Sequence, residues 1–307
     1  MPTSAPNPFA RPLGPVAAAG WSSAFLVVFA AALTTLSSIH PGSEFDEVSA
    51  ALLDAAAALA IIFGIARVHA PDAPIADLVG ARPIGFLPAL AATLMGAAAV
   101  VPLGALEAFI ARRNPIPEKL ATELAQAYSA LGHNERIAGA LASVVVFPIA
   151  DELLFRGAIA SGIARDRGRW VALILTSLTF AIAYAALRDF HELPVYLAAG
   201  LMFGVARFGT GSVLPAIGAH LAWRGAELAI DARRAGTIDP IVTSTIDYPR
   251  YSPAVLAAGT AATLLFAFVL LRFGPRSEHD ERAPAAGPPA AAAKGSGDAG
   301  GDDEDGS

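Results

Sequence analysis

The chain contains no cysteine among its 307 residues. Disulfide bonds, thiolate metal ligands and a cysteine nucleophile are therefore excluded. Charged side chains are also scarce, at 16% of the sequence, whereas soluble domains carry about 25%. The net charge of −6 is concentrated at the C-terminus, because residues 274–307 hold eight acidic and three basic residues. The rest of the sequence lacks the polar surface of an ordinary soluble protein.

Long apolar runs take the place of polar surface. Hydrophobic residues make up 55% of the chain, and its mean hydropathy is +0.54. About 20 apolar residues are enough for one helical crossing of a bilayer. We therefore predict an all-α, polytopic integral membrane protein with about eight transmembrane helices. The runs cover about 16–39, 49–65, 87–111, a stretch that begins at 137, 170–187, 195–205, 213–230 and 253–271.

The composition divides the chain into three regions. Residues 1–15 form a short N-terminal tail rich in proline, and residues 16–273 form the multi-helix membrane domain. Residues 274–307 combine alanine, proline and glycine with acidic residues and have little to bury. We expect this acidic tail to be disordered.

A basic loop predicts the orientation in the membrane. Arg165, Arg167 and Arg169 make the most basic short loop, between the fourth and fifth runs. The positive-inside rule places such loops in the cytoplasm. With eight crossings, both termini are then cytoplasmic, and we expect the protein in the cytoplasmic (inner) membrane.

Three charged residues lie within the fourth apolar run. Asp151, Glu152 and Arg156 follow an apolar stretch, and a charge at membrane depth costs about 2.5–3.5 kcal/mol on insertion scales. In a helix, Glu152 and Arg156 are four residues apart in the favourable order for an ion pair. Asp151 would point about 100° away from Glu152. The alternative is that the helix ends here, with Arg156 extended to the interface and the acids hydrated.

The seventh run is the second place where polar groups enter the membrane. His220, Arg224 and Glu227 are spaced by four and three residues, which puts them on one helical face. Such a stripe favours a polar intramembrane cavity that this helix shares with the acids of the fourth run.

These residues resemble the motifs of the CAAX protease and bacteriocin-processing family of intramembrane endopeptidases, over about residues 140–230. The first motif is an acid pair followed by arginine and glycine, here Asp151-Glu152-Leu-Leu-Phe-Arg156-Gly157. The second is phenylalanine, three residues and histidine, and the matching place is Phe180-Ala-Ile-Ala-Tyr184. The third is histidine, three residues and asparagine or a similar polar residue, matched by His220-Leu-Ala-Trp-Arg224.

The resemblance implies a membrane endopeptidase that cleaves a membrane-associated protein or peptide in the lipid bilayer, with no nucleic-acid partner. It implies that Asp151 and Glu152 activate a water molecule and that His220 stabilises the oxyanion, with Arg156 and Phe180 as further motif residues. Donors that are held in place help most where water is scarce. A second scheme, in which the acids and histidines hold a divalent metal, stays open from the sequence, so we assign no cofactor.

The chain departs from the family pattern at three positions. Asp151 shortens the first acid by one methylene, Tyr184 replaces the second-motif histidine, and Arg224 replaces the third-motif asparagine. Tyrosine donates a hydrogen bond but is a poor base, and Arg224 adds a fixed charge that could pair with the acids. His191 lies seven residues after Tyr184 and is a candidate substitute base if the helix continues and kinks.

Two functions therefore remain open from the residues: an endopeptidase with a degenerate active site, and an inactive member that binds or scaffolds a membrane protein or a related protease. A third interpretation is a transporter with an intramembrane charge pathway. The lone acids Asp54 and Glu107 are its best support, although they could instead face the same polar cavity.

Overall fold

A computed structural model describes residues 11–40, 46–115, 117, 119, 122–123, 126, 130–187, 190–235 and 251–273. The predicted acidic tail and the first ten residues of the predicted N-terminal tail lie outside the described residues. The described part of the chain contains helices and no strand. This confirms the predicted all-α class.

Eight long helices make up the described bundle. They are α1 Pro15–Ile39, α2 Glu47–His69, α4 Phe86–Arg113, α5 His133–Arg167, α6 Arg169–Leu187, α7 Leu193–Thr210, α8 Val213–Ala235 and α9 Pro253–Phe273, and the single turn α3 Ile75–Leu78 lies between α2 and α4.

Seven of these described helices are long and apolar enough to cross a membrane, and α8 is the exception. The 23 residues of α8 span roughly 34 Å at about 1.5 Å per residue, so its length would suffice. Its charged residues, among them Arg224 and Glu227, lower its hydropathy. Composition therefore supports a polytopic membrane protein with seven crossings, and the eighth crossing stays a prediction.

The helix ends follow local rules of backbone chemistry. Asp46 caps α2 by accepting a hydrogen bond of 3.1 Å from the Val48 N–H, as N-cap carboxylates do. Proline stands in the first turn of α1 and of α7, where its missing N–H costs nothing. After α7, Gly211 has a φ of 74° and donates its N–H to the Arg207 carbonyl at 3.0 Å. These signals set where the bundle turns.

One end of the bundle holds half of the described lysine and arginine residues. Gly14 lies against Asp166, and the Val213 N–H donates to the Gly80 carbonyl at 3.1 Å. The start of α1, the loop after α2, the α5–α6 junction and the α7–α8 turn therefore share one end. We call it the arginine-rich end; its described bases are Arg11, Arg67, Arg82, Arg165, Arg167, Arg169, Arg207 and Arg272.

A ladder of buried phenylalanines crosses the bundle through its centre. Phe25 of α1 meets Phe155 of α5 with ring centroids 5.8 Å apart, and Phe155 meets Phe180 of α6 at 5.5 Å. Phe180 in turn meets Phe203 of α7 at 6.3 Å, and all four rings are fully buried. Edge-on contacts of this kind add to the energy of burial. They hold α5 in the middle of the helices that surround it.

Glycines permit two close approaches around α5 and α8. A Cβ on Gly157 would lie 2.9 Å from the Cβ of Val79, so this position accepts only glycine without movement of the loop after α3. Gly96 of α4 lies directly on the backbone of Ala219 in α8. Small residues commonly allow such close helix packing in membranes. The glycine that ends the first motif therefore has a packing role.

Candidate active site

Helix α5 widens twice near its middle. The segments Ala142–Val146 and Glu152–Ile159 are π-helical, with an ordinary helical turn between them. Pro148 lies in that turn and has no N–H to donate to the carbonyl four residues earlier, which explains the wide turn that precedes it. Because π-helical segments are rare and concentrate at functional sites, the second one, which carries Arg156, marks this helix as the centre of the site.

The three charged residues of the first motif are completely buried. Asp151, Glu152 and Arg156 have 0% exposure, and Glu152 Oε1 lies 3.3 Å from Arg156 Nη1. Arg156 Nη2 also donates to the carbonyl oxygen of Gly200 at 2.9 Å, and its guanidinium lies 4.2 Å from the centre of the Phe180 ring. The predicted ion pair is confirmed. The alternative in which Arg156 extends to the interface is wrong, because α5 continues beyond it and encloses it.

The histidine of the third motif contacts the glutamate of the first. His220 is 3% exposed, and its Nδ1 lies 3.1 Å from Glu152 Oε1. Its ring stacks on Phe203, with centroids 4.2 Å apart, and near Trp223 at 5.7 Å. An ionised carboxylate only accepts hydrogen bonds, so we assign the proton of this contact to Nδ1. The polar stretches of α5 and α8 therefore form one cluster, as the sequence predicts.

Tyr184, at the second-motif position, contacts the other acid. Its hydroxyl donates to Asp151 Oδ2, and its ring lies 4.6 Å from Phe180 and 4.9 Å from Tyr196. Tyr196 donates to Glu192 Oε2 at 2.7 Å. The two acids, which point in different directions as predicted, thus have different neighbours: Glu152 contacts Arg156 and His220, whereas Asp151 accepts from a phenol.

Arg224 lies on the same face of α8 as His220 but pairs along its own helix. It forms an ion pair with Glu227, and both side chains are 24% exposed. Glu152 is contacted by His220 and Arg156 instead. The sequence left open whether Arg224 pairs directly with the acids of α5. In the structure, Arg224 forms an ion pair with Glu227.

His191 does not join the buried cluster. Helix α6 ends at Leu187, and His191 is exposed on the 3₁₀ turn Phe190–Glu192. The substitute-base hypothesis requires a continued helix with a kink. The structure instead places this ring at the surface, so it lends the hypothesis no support.

Asp54 of α2 is a cluster member that the sequence left unassigned. Its side chain is 3% exposed, on the buried helical face that also carries Ala51, Ala58 and Ile61, and it acts electrostatically on Asp151. Helix α2 packs against the part of α5 that holds the acids. A lone acid in phase with a buried apolar stripe is the sequence signal for this position. Asp54 thus faces the shared cluster, which removes one of the two acids on which the transporter interpretation relied.

Arg207 supports the cluster from the arginine-rich end. Its Nε donates to the backbone carbonyl of Arg156 at 3.0 Å, and its Nη2 donates to Ser161 Oγ at 3.0 Å. Sequence reasoning assigned no role to this contact or to the Gly200 carbonyl, because backbone acceptors have no side-chain signature. Both hold Arg156 in position.

Several buried polar atoms of the cluster have no hydrogen-bond partner among the described residues. Glu152 Oε2, Asp54 Oδ2 and Arg156 Nε make no hydrogen bond within the described part of the chain. Buried polar atoms in proteins nearly always bond to protein or to water. Two acceptors and one donor of the cluster are therefore available to a water molecule or a peptide group.

The described residues do not match a metal centre. Within these ranges, no group of three or more histidine, aspartate or glutamate side chains is arranged to hold a metal ion. Catalytic zinc sites typically use three protein ligands.

The match with a known family spans the three motifs. Residues 133–226 match the family model described as type II CAAX prenyl endopeptidase Rce1-like. Over this segment, about a third of the chain, the protein is similar to the CAAX protease family. The matched segment contains Glu152, Tyr184 and His220, whereas Asp54 lies outside it. No curated protein and no solved structure matches the chain.

Proposed function

We propose that this CAAX protease homologue is an intramembrane endopeptidase that hydrolyses a peptide bond of a membrane-associated protein or peptide. The observation that carries the proposal is the environment of Glu152. Its Oε1 is held by Arg156 and His220 at 3.3 and 3.1 Å, while its Oε2 has no partner within the described chain. A carboxylate fixed through one oxygen can present the other to a water molecule.

Glu152 acts as the general base in this mechanism. Its Oε2 removes a proton from water as the water oxygen attacks the carbonyl carbon. His220 keeps its Nδ1 proton on Glu152 Oε1 and so holds this carboxylate in place, while its Nε2 carries no proton. This role differs from the oxyanion role that the family resemblance implies for His220, since a ring nitrogen without a proton cannot donate to an oxyanion.

Arg156 stabilises the oxyanion that forms on the carbonyl oxygen. Its Nε–H is an unused donor in the described cluster, and its charge is fixed by the Gly200 carbonyl and the Phe180 ring. Fixed donors in a site with little water stabilise developing negative charge strongly. Glu152 then passes its proton to the leaving amine nitrogen as the carbon–nitrogen bond breaks.

Tyr184 makes the active site degenerate with respect to the family pattern. It holds Asp151 through its hydroxyl, so the second motif supplies a donor and no base. In our mechanism the Asp151–Tyr184 pair positions α5 against α6, and Glu152 carries the proton transfer alone.

The alternative is a catalytically inactive member that binds a membrane protein or a partner protease. The replacement of the second-motif histidine by Tyr184 favours it, as does the Arg224–Glu227 ion pair at the third motif. Such a protein would keep the fold and the peptide-binding groups without turnover.

The deciding experiment compares the termini of membrane proteins by mass spectrometry. Cells carry the intact gene, a deletion, or the Glu152→Gln variant at equal abundance. We expect a set of cleaved termini to disappear in both the deletion and the variant, because glutamine keeps the shape of the side chain but cannot accept a proton. Loss of more than about 100-fold in processing is typical for a general base.

Glu107→Gln is the matched control, because Glu107 is also an acid inside an apolar helix but lies on α4, outside the cluster contacts described above. We expect this variant to process normally. If Glu152→Gln leaves every terminus as in intact cells, the endopeptidase mechanism is wrong and the binding role becomes the better account.

We further propose that the arginine-rich end faces the cytoplasm and that the membrane is the cytoplasmic one. The family and the apolar helices make the chain an integral membrane protein. The orientation is supported by the clustering of arginines at one end of the bundle, as the positive-inside rule requires.

A further inference from the structure

A second polar cluster lies away from Glu152, where α5 and α7 reach the arginine-rich end. Arg207 stands in the last turn of α7 and is 8% exposed. Two of its donors are committed to the Arg156 carbonyl and to Ser161, each at 3.0 Å. Its guanidinium is therefore fixed in place at the boundary between the helices and the membrane surface.

The loop after α3 closes over this guanidinium. Gly80, with a φ of 64°, lies so near Arg207 that a Cβ there would overlap the guanidinium. The backbone of Arg82 is tied to the α7–α8 turn: its N–H donates to Ser212 Oγ at 3.2 Å, and Ser212 Oγ donates to its carbonyl at 2.7 Å. The exposed side chain of Arg82 is thus anchored beside Arg207.

The cluster concentrates positive charge. Arg82 and Arg165 both act electrostatically on Arg207, and Arg82 also acts on Arg165. Asp77 is the acid that opposes Arg165. Three guanidinium groups from the α3–α4 loop, α5 and α7 therefore repel one another, and a bound anion would offset this repulsion.

We propose that Arg82 and Arg165, beside the buried charge of Arg207, form a binding site for the phosphate group of an anionic phospholipid. Guanidinium groups match phosphate oxygens in shape and charge. Basic pockets between membrane helices on the cytoplasmic side bind acidic headgroups. Arg165 and Arg207 occupy the last turns of apolar helices, which is the depth of a lipid headgroup.

The test measures thermal unfolding of the full chain in nanodiscs of phosphatidylglycerol and of phosphatidylcholine. A ligand that binds only the folded state raises its stability. We expect the Tm to be higher in phosphatidylglycerol by roughly 3 °C, the size expected for a lipid at about tenfold excess over its dissociation constant. The variant Arg82→Gln/Arg165→Gln should lose most of this difference. Arg207 is left intact because its buried contacts support the fold.

The control is Arg112→Gln/Arg113→Gln, which removes two exposed arginines from the C-terminus of α4, at the opposite end of the bundle. It should keep the full difference between the two lipids. Equal losses in both double variants would show a general charge effect and overturn the site, as would equal Tm values of the intact protein in the two lipids.

A third arm distinguishes lipid from free anion. Inorganic phosphate is added to the protein in phosphatidylcholine nanodiscs at constant ionic strength. We expect no rise in Tm, because the lipid supplies both the phosphate and its place at the membrane surface. A rise as large as that in phosphatidylglycerol, lost in Arg82→Gln/Arg165→Gln, would overturn the assignment to a lipid.

Discussion

Tyr184 and Asp151 show how single residues shape the buried cluster. The phenol lies on α6 where the family pattern has a histidine, and it donates to a carboxylate that is 0% exposed. A buried acceptor that loses its donor destabilises the fold, because it has given up its bonds to water and gains no hydrogen bond in return. At the residue scale, this replacement exchanges a group that can carry a proton for one that holds an acid in place.

The Tyr184→Phe variant tests that exchange. Removal of the hydroxyl should lower the free energy of unfolding by about 1–3 kcal/mol, because Asp151 stays buried without its donor. The measurement is denaturant or thermal unfolding of the protein in a fixed detergent.

Tyr196→Phe provides the matched control. Tyr196 donates to Glu192, which is half-buried and can turn to water, so its loss should cost less than about 1 kcal/mol. Equal losses in the two variants would contradict the structural role of the Tyr184–Asp151 contact.

At the scale of helices, the site depends on how closely α4, α5 and α8 approach one another. His220 meets Glu152 only because α8 has the rotation and depth that bring the ring to α5. The close contact between Gly96 of α4 and the backbone of Ala219 in α8 helps to set the depth of α8. In α5, the wide turns around Pro148 change which side chains face α8. Helix geometry thus decides which polar groups form pairs.

Gly96→Ala should destabilise the bundle and reduce the yield of folded protein. The added Cβ would overlap backbone atoms of Ala219, which cannot move aside as a side chain can. Overpacking of this kind costs about 1–3 kcal/mol. Thermal unfolding of the purified protein measures the loss.

The control for this prediction is Gly20→Ala in α1, where no atom lies within 4 Å of the added Cβ. That variant should be as stable as the intact protein or more stable by roughly 0.5–1 kcal/mol, because alanine favours the helix interior. A similar loss in both variants would rule out the close contact as the cause.

At the scale of the whole molecule, the charge distribution predicts the orientation in the membrane. The eight long helices alternate in direction, so the described loops and termini fall at two ends, and the arginines gather at the one that also holds the start of α1 and the end of α9. Translocation of basic loops is unfavourable. The whole bundle should therefore place that end in the cytoplasm.

The absence of cysteine makes this orientation measurable. Single cysteines are introduced as Arg167→Cys in the α5–α6 junction and as Arg112→Cys at the end of α4. A membrane-impermeant maleimide on intact cells should label position 112 and leave position 167 unlabelled until the membrane is permeabilised. The reverse pattern would contradict the proposed topology.

The sequence by itself determined the membrane class, the helix runs and the contacts that lie within one helix. The Glu152–Arg156 pair was predictable because residues four apart meet on any helix, and the alignment of His220 with Arg224 and Glu227 followed in the same way. The sixth run was predicted too short: helix α7 covers Leu193–Thr210. The prediction missed its ends because polar residues there interrupt the hydrophobic pattern.

Only the tertiary structure decided the contacts between helices. The rotation and depth of one helix against another decide that Tyr184 meets Asp151 and that His220 contacts Glu152. The same two quantities decide that Asp54 faces this cluster. Packing of glycines and phenylalanines sets those two quantities, and this packing leaves no periodic signal in the sequence. The carbonyl of Gly200, which holds Arg156, is a backbone group that every residue type possesses, so its partner could be identified only in the folded molecule.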